Sequence, residues 1–232
     1  MRPRAPGFRH SRFANRLRGF RARAVRPLSL KPQDVCVLLK IALLDRGPWS
    51  YGQLSLELGM SASEVHAGVK RAAHASLIRL DDGWGAPDVH ALEEFLVHGL
   101  KYAFSPVRGG LTRGVPTAHA APPLRGLFPA PPGPPLVWPD ADGNVEGFGF
   151  SPLYKSVPFA AKRDPRLYEL LALVDALRAG DCCEPARLRQ TLRARLRPQR
   201  IEALARRPAV DATKGSKRGT HGKETRLHGR RH

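Results

Sequence analysis

Residues 30–83 carry the pattern that most restricts how this chain folds, because short amphipathic stretches alternate there with glycine turns. The first stretch predicts a helix from 30 to about 44, with Pro32 in its first turn, where the missing N–H breaks no hydrogen bond. Its apolar side chains recur at spacings of three and four, as on one helical face: Val35, Leu38, Leu39, Ala42 and Leu43. Gly47-Pro48 then ends the helix.

Two further helices are predicted, over 51–58 and from 62 to about 76. Gly59 lies between them and can adopt the positive φ that a tight turn requires. Ser61 and Glu64 have the Ser-x-x-Glu spacing of a capping box, which marks the start of the third helix. The sequence therefore predicts a helix, a turn and a second helix in close succession.

The third predicted helix has an apolar face and a polar face. The side chains expected to face inward are Val65, Val69, Ala72 and Ala73. The positions expected to face outward are Ser63, His66, Ala67, Lys70, Arg71 and His74. Most of the outward set can donate hydrogen bonds to phosphates or to base edges, and Lys70 and Arg71 carry donors only.

Four short motifs in this stretch are Leu-x-Pro-Gln from Leu30, Leu-x-x-x-Leu-Gly-Met-Ser from Leu54, Val-x-x-x-Val-Lys-Arg from Val65, and Leu77-Ile78. Together they resemble the DNA-binding half of bacterial MarR-type and related winged helix-turn-helix transcriptional regulators, over residues 30–83 only. The resemblance implies sequence-specific binding of double-stranded DNA, usually as a homodimer. It implies these DNA-binding residues on the recognition helix, its cap and the wing: Ser61, Ser63, His66, Ala67, Lys70, Arg71, His74 and Arg79.

Two other interpretations of residues 30–83 stay open at the level of sequence. A small helical bundle with a glycine turn has the same pattern and no role on DNA. Winged helices also serve as protein-interaction modules, so the same fold is compatible with a partner protein.

The net charge of +19 is concentrated at the two ends of the chain. Residues 1–29 hold nine Arg and no acidic residue, and residues 185–232 hold fifteen Lys or Arg against three acidic residues. The intervening stretch, 30–184, holds fifteen basic and seventeen acidic residues. Basic ends strengthen DNA binding without adding specificity, because they release condensed counterions. A GC-rich coding bias produces similar arginine-rich ends without any function.

The remaining chain divides by composition. We predict a disordered basic arm over 1–29, a winged-helix DNA-binding domain over 30–104 with a further helix from 88 to 104, and a disordered basic tail over 208–232. Residues 105–160 are predicted to be a Pro/Gly-rich extended connector, since ten prolines fall between 105 and 139. Residues 161–207 are predicted to form a C-terminal helical region, with helices over about 164–178 and 187–206.

Several functional classes lack a sequence signal. No apolar run reaches the roughly 18 residues of a membrane span. Three cysteines do not make a disulfide framework, which favours a reducing, cytoplasmic setting. We find no nucleophile elbow, no Cys/His pair in context and no clustered metal ligands, so we expect neither an enzyme nor a cofactor or metal site.

The resulting prediction is a mainly α-helical, cytoplasmic bacterial protein that binds DNA as a sequence-specific transcriptional regulator. The alternative is a protein-interaction module without base-specific readout, for example an antitoxin-like protein or the partner subunit of a two-gene system. In that case the proline-rich segment, in particular Thr117 to Leu124, would receive the partner protein.

Overall fold

The chain is mainly helical and carries two small sheets in a computed structural model that describes residues 28–44, 47–81, 84–129, 131–180 and 184–197. The helices are α1 (Pro32–Leu43), α2 (Tyr51–Leu58), α3 (Ala62–His74), α4 (Val89–Glu94), α5 (Leu100–Ala103), α6 (Val157–Arg163), α7 (Pro165–Ala179) and α8 (Pro185–Leu196). The strands are β1 (Ile78–Asp81), β2 (Trp84–Pro87), β3 (Arg108–Pro116), β4 (Leu136–Pro139) and β5 (Val145–Phe150).

The three helices predicted at 30–76 are confirmed, and local hydrogen bonds show why they start and stop there. Ser50 Oγ accepts from the backbone N–H of Gln53 at 3.1 Å and starts α2. Gly59 ends α2 with φ at 64°, in the left-handed region that favours glycine. A hairpin follows α3, because β1 pairs antiparallel with β2 from Ile78 opposite Pro87 to Asp81 opposite Trp84.

The helix predicted over 88–104 is also confirmed in its location. Asp88 caps it, since its carboxylate accepts from the backbone N–H of Ala91 at 3.2 Å. The helix is not regular throughout: α4 continues through a π-helical turn (Phe95–Gly99) into α5.

The expectation of an extended connector over 105–160 is wrong. This stretch contains most of α6 and the strands β3, β4 and β5. The three strands pair with one another in a closed arrangement, which we call the small barrel. β3 pairs antiparallel with both β4 and β5, and β4 pairs parallel with β5. The prolines within the strands do not prevent this pairing. Pro116 and Pro139 are the last residues of β3 and β4, where the missing backbone N–H interrupts no run of strand-to-strand hydrogen bonds.

Glycines allow the three strands to close so tightly. A Cβ on Gly114 would lie 2.1 Å from the carbonyl oxygen of Trp138. A Cβ on Gly147 would lie equally close, at 2.1 Å, to the carbonyl oxygen of Pro135. Any larger residue at either position would push the strands apart.

Thr117 to Leu124, the segment that would receive a partner under the alternative interpretation, adds side chains to the core. The segment forms two short 3-10 helices, Ala118–Ala120 and Pro122–Leu124, and both pack against α7. Ala118, Ala121 and Leu124 are buried there.

The C-terminal helices α7 and α8 begin close to the positions predicted for them, 164 and 187. α7 ends at Gly180, whose φ is 75°, and most of its side chains are buried because it packs against α1, α6 and α8. In α8 the buried residues are Leu188, Leu192 and Leu196, one every four positions. The rest of the helix predicted over 187–206 lies outside the described residues, as do the basic tail over 208–232 and residues 1–27 of the basic arm.

A buried carboxylate joins α7 to the small barrel. Asp175 accepts a hydrogen bond from Trp138 Nε1 at 2.6 Å and from Thr117 Oγ1 at 2.9 Å. Arg178 donates to the same carboxylate at 2.7 Å and also to the carbonyls of Phe104 and Ser151, each at 3.1 Å. Burial raises the pKa of Asp175, while these donors favour its charged form.

We predict that Asp175→Ala lowers the free energy of unfolding by about 3–5 kcal/mol, because it leaves the buried Arg178 without its counter-charge. Urea denaturation followed by circular dichroism measures the change. Asp142→Ala is the control, since Asp142 is exposed, and it should stay within about 0.5 kcal/mol of wild type. A wild-type midpoint for Asp175→Ala would contradict the role of this network.

Candidate nucleic-acid interface

The third helix presents a polar face to solvent, as the sequence predicted for most of its residues. The exposed members of the candidate set on α3 and its cap are Ser61, Ser63, His66, Lys70 and His74, and Ala67 is half-buried. Behind them, Val65, Val69 and Ala72 are buried against the other helices. The exposed candidate residues on this helix therefore lie together, and among them only Lys70 carries a fixed positive charge.

Ser61 has a structural role as well as an exposed position. Its Oγ accepts from the backbone N–H of Glu64 at 3.2 Å, which caps α3. The second half of the predicted capping box is replaced, because the Glu64 carboxylate accepts from Gln33 Nε2 at 2.9 Å and Arg71 Nη2 at 2.8 Å. These bonds, first from Gln33 and then from Arg71, lower the pKa of Glu64.

The expectation that Arg71 faces outward is wrong. Only 7% of its surface is exposed, and its guanidinium donates to both carboxylate oxygens of Asp34, at 2.7 and 2.8 Å. Arg71 lies on the flank of α3 that also carries Glu64 and Gly68, and this flank faces α1. The hydrogen bonds to Asp34 raise the pKa of the guanidinium, so Arg71 is a permanent charge in a buried pair.

Gly68 lets the two helices approach closely enough for that pair. A Cβ at position 68 would lie 2.9 Å from Asp34 Oδ1 and 3.7 Å from Val37 Cγ2. Asp34 is fully buried and also accepts from the backbone N–H of Lys31 at 2.8 Å. The ion pair between Asp34 and Arg71 thus holds α1 and α3 together and fixes the orientation of α3.

Arg79 stands on β1 and is 81% exposed at its side chain. Its guanidinium donates to Asp88 at 2.8 Å, a surface ion pair of the kind that contributes little to stability. The backbone bond from Ala91, together with Arg79, lowers the pKa of Asp88.

Sequence reasoning did not identify the aromatic residues that support this face. Tyr51 meets the His66 ring edge-on with centroids 4.9 Å apart, and Trp49 meets Tyr51 at 5.4 Å. Trp49 in turn donates from Nε1 to the carbonyl of Gly85 at 2.7 Å, which connects α2 to the hairpin. The only signal in the sequence was two aromatics beside the Ser50 cap, and their partners are distant in the chain.

A second charged contact attaches this helical unit to the C-terminal half. Lys40 of α1 forms ion pairs with Glu57 of α2 at 2.6 Å and with Asp164, the cap of α7, at 2.7 Å. Burial alone would lower the pKa of Lys40, but the bonds to Asp164 and Glu57 outweigh it and raise that pKa.

Comparison with models of protein families, with curated proteins and with solved structures finds no match to this chain. Among the described residues, every helix is too short or too polar to span a lipid bilayer. The same residues contain no cluster of three or more His, Cys, Asp and Glu side chains suited to a metal ion.

We predict that two neighbouring substitutions on α3 differ strongly in their effect on the free energy of unfolding. Arg71→Ala should lower the free energy of unfolding by about 3–5 kcal/mol, because Asp34 is left buried without a counter-charge. Lys70→Ala removes an exposed side chain and should change stability by less than about 0.5 kcal/mol. Chemical denaturation of both variants tests this; equal effects would mean that the Asp34–Arg71 pair does not hold α3.

We also predict an acid-sensitive contribution from Glu64. Because its pKa is lower in the folded protein than in the unfolded chain, the stabilisation is complete above the unfolded value of about 4.3. It is lost as the pH falls through the folded value. Glu64→Gln should therefore lower the free energy of unfolding at pH 7, and the difference from wild type should become smaller in acid. A difference in unfolding free energy that stays constant from about pH 7 to pH 3 would contradict this.

Proposed function

We propose that this protein is a cytoplasmic DNA-binding transcriptional regulator that reads double-stranded DNA with α3. The observation that carries the proposal is the exposed polar face of α3, which follows a tight glycine turn and is presented by buried contacts on its other sides. A helix of this kind, the second of a helix-turn-helix pair, fits the major groove.

The chemistry of the face suits base edges. Ser63 can donate and accept, His66 can offer its ring nitrogens to base edges, and Lys70 donates to guanine or phosphate. Arg71 is excluded from this set because its side chain is buried and its Nε and Nη2 donate to Asp34 and Glu64. The hairpin β1–β2 corresponds to the wing in this proposal, with Arg79 as its candidate contact.

The charge distribution supports a division of labour. Residues 30–184 are close to neutral, whereas nine Arg precede them and fifteen Lys or Arg fall in 185–232. We assign specificity to the few contacts of α3 and a sequence-independent share of affinity to the basic ends. A homodimer, which regulators of this type commonly form, belongs to the same proposal.

The test selects duplexes from a random library with the full chain and measures affinity by fluorescence anisotropy. We expect an enriched site, and His66→Ala or Lys70→Ala should lower its affinity by about 1–3 kcal/mol if the lost contact reads a base. Such a loss should relax the preference at one position, whereas a lost phosphate contact weakens all sequences alike. Lys101→Ala, another exposed lysine, is the control.

The proposal is overturned if the folded wild-type protein enriches no sequence and does not bind duplex DNA at low salt. That result would favour the second candidate function, a protein-interaction module. One observation supports it: Leu111 and Phe148, cross-strand neighbours on the barrel, are 60% and 41% exposed, and Val107, just before β3, is also exposed. Monomeric proteins rarely expose large apolar side chains together.

A further inference from the structure

Helix α6 lies directly beside the turn that leads into α3. Ser156, just before α6, donates from Oγ to the carbonyl of Leu58, the last residue of α2, at 2.6 Å. A Cβ on Gly59 would lie 2.8 Å from Cδ1 of Phe159. These two contacts place α6 against the end of α2, next to the N-terminal end of α3.

The outer side of α6 is basic and aromatic. Phe159 and Arg163 lie four residues apart on α6 and so share one side of it, Lys155 lies in the turn two residues before the helix, and all three are exposed. The Arg163 guanidinium stacks over the Phe159 ring at 4.9 Å from its centroid, and Phe159 is 42% exposed. We refer to these three residues as the α6 face.

The positive charge of the α6 face is not neutralised locally. Within the described residues, neither Lys155 nor Arg163 belongs to an ion pair, and the neighbouring carboxylates have other partners. Glu57 and Asp164 pair with Lys40, and Asp140 pairs with Lys162.

We propose that the α6 face binds the DNA phosphate backbone beside the groove that α3 enters. This inference rests on the proposed function, since α3 sets where the duplex lies. In helix-turn-helix complexes the N-terminal end of the recognition helix contacts the base edges, so an element beside that end borders the groove. Two cations there complement the phosphates that flank the groove, and Phe159 holds Arg163 in place.

The experiment compares Lys155→Gln/Arg163→Gln with Lys101→Gln/Arg113→Gln in the full chain. Both double variants remove one lysine and one arginine charge from exposed positions, and the control residues lie on α5 and β3, outside the two basic ends of the chain. Fluorescence anisotropy measures affinity over a range of salt concentrations for the duplex selected by the wild type and for a scrambled duplex. Thermal unfolding checks that every variant is folded.

We expect the α6 variant to lose affinity for both duplexes by the same factor. Its dependence of log affinity on log salt should be shallower than wild type by about 1.8, since each phosphate contact contributes about 0.9. The control variant should keep a slope close to wild type, and the ratio of affinities for the two duplexes should not change in either variant.

Three results overturn the inference, and they are distinguishable. If the α6 variant behaves like the control while Lys70→Ala still weakens binding, α6 is not a phosphate contact and the proposed function stands. If the α6 variant changes base preference, the face reads bases rather than phosphates. If the wild-type protein binds neither duplex, the proposed function fails and the assignment of the α6 face fails with it.

Discussion

The buried carboxylate of Asp175 is the constraint on which the two halves of this protein depend. A charge without solvent is costly unless it is paired and hydrogen-bonded, and Asp175 obtains its partners from three separate segments. Trp138 lies in β4 of the barrel, Thr117 directly follows β3, and Arg178 lies one turn further along α7. Arg178 also donates to the carbonyls of Phe104, before β3, and Ser151, after β5, so the chain is fixed to α7 where it enters the barrel and where it leaves it.

Two further charged contacts extend this arrangement to α3. Asp34 and Arg71 lock α1 to α3, and Lys40 joins α1 to α2 and to the cap of α7. Each is short, and the Asp34 and Lys40 side chains are buried, so the angle at which α3 is presented depends on the whole helical assembly. The proposed DNA interface would need this rigidity, because side chains must be held at defined positions to read base edges.

The parts of the fold that sequence reasoning identified are those that local chemistry decides. α2 begins at a serine cap and ends at a glycine in the left-handed region, and both signals are visible in the chain itself. The barrel was missed because β4 and β5 are short and the prolines of this stretch suggested an extended connector. The barrel closes through contacts between residues that are distant in the chain. Gly114 and Gly147 have no side chain, and the backbone carbonyls of Trp138 and Pro135 occupy the space that a Cβ would need.

The candidate site divides in the same way. The sequence by itself determined the helix-turn-helix spacing and which α3 residues share the apolar side, since Val65, Val69 and Ala72 follow the helical repeat. Only the tertiary structure decided the role of Arg71, because helical periodicity assigns a flank and not the neighbour that covers it. That neighbour is Asp34, 37 positions earlier, and its buried charge draws the guanidinium inward, away from the face where Lys70 remains exposed.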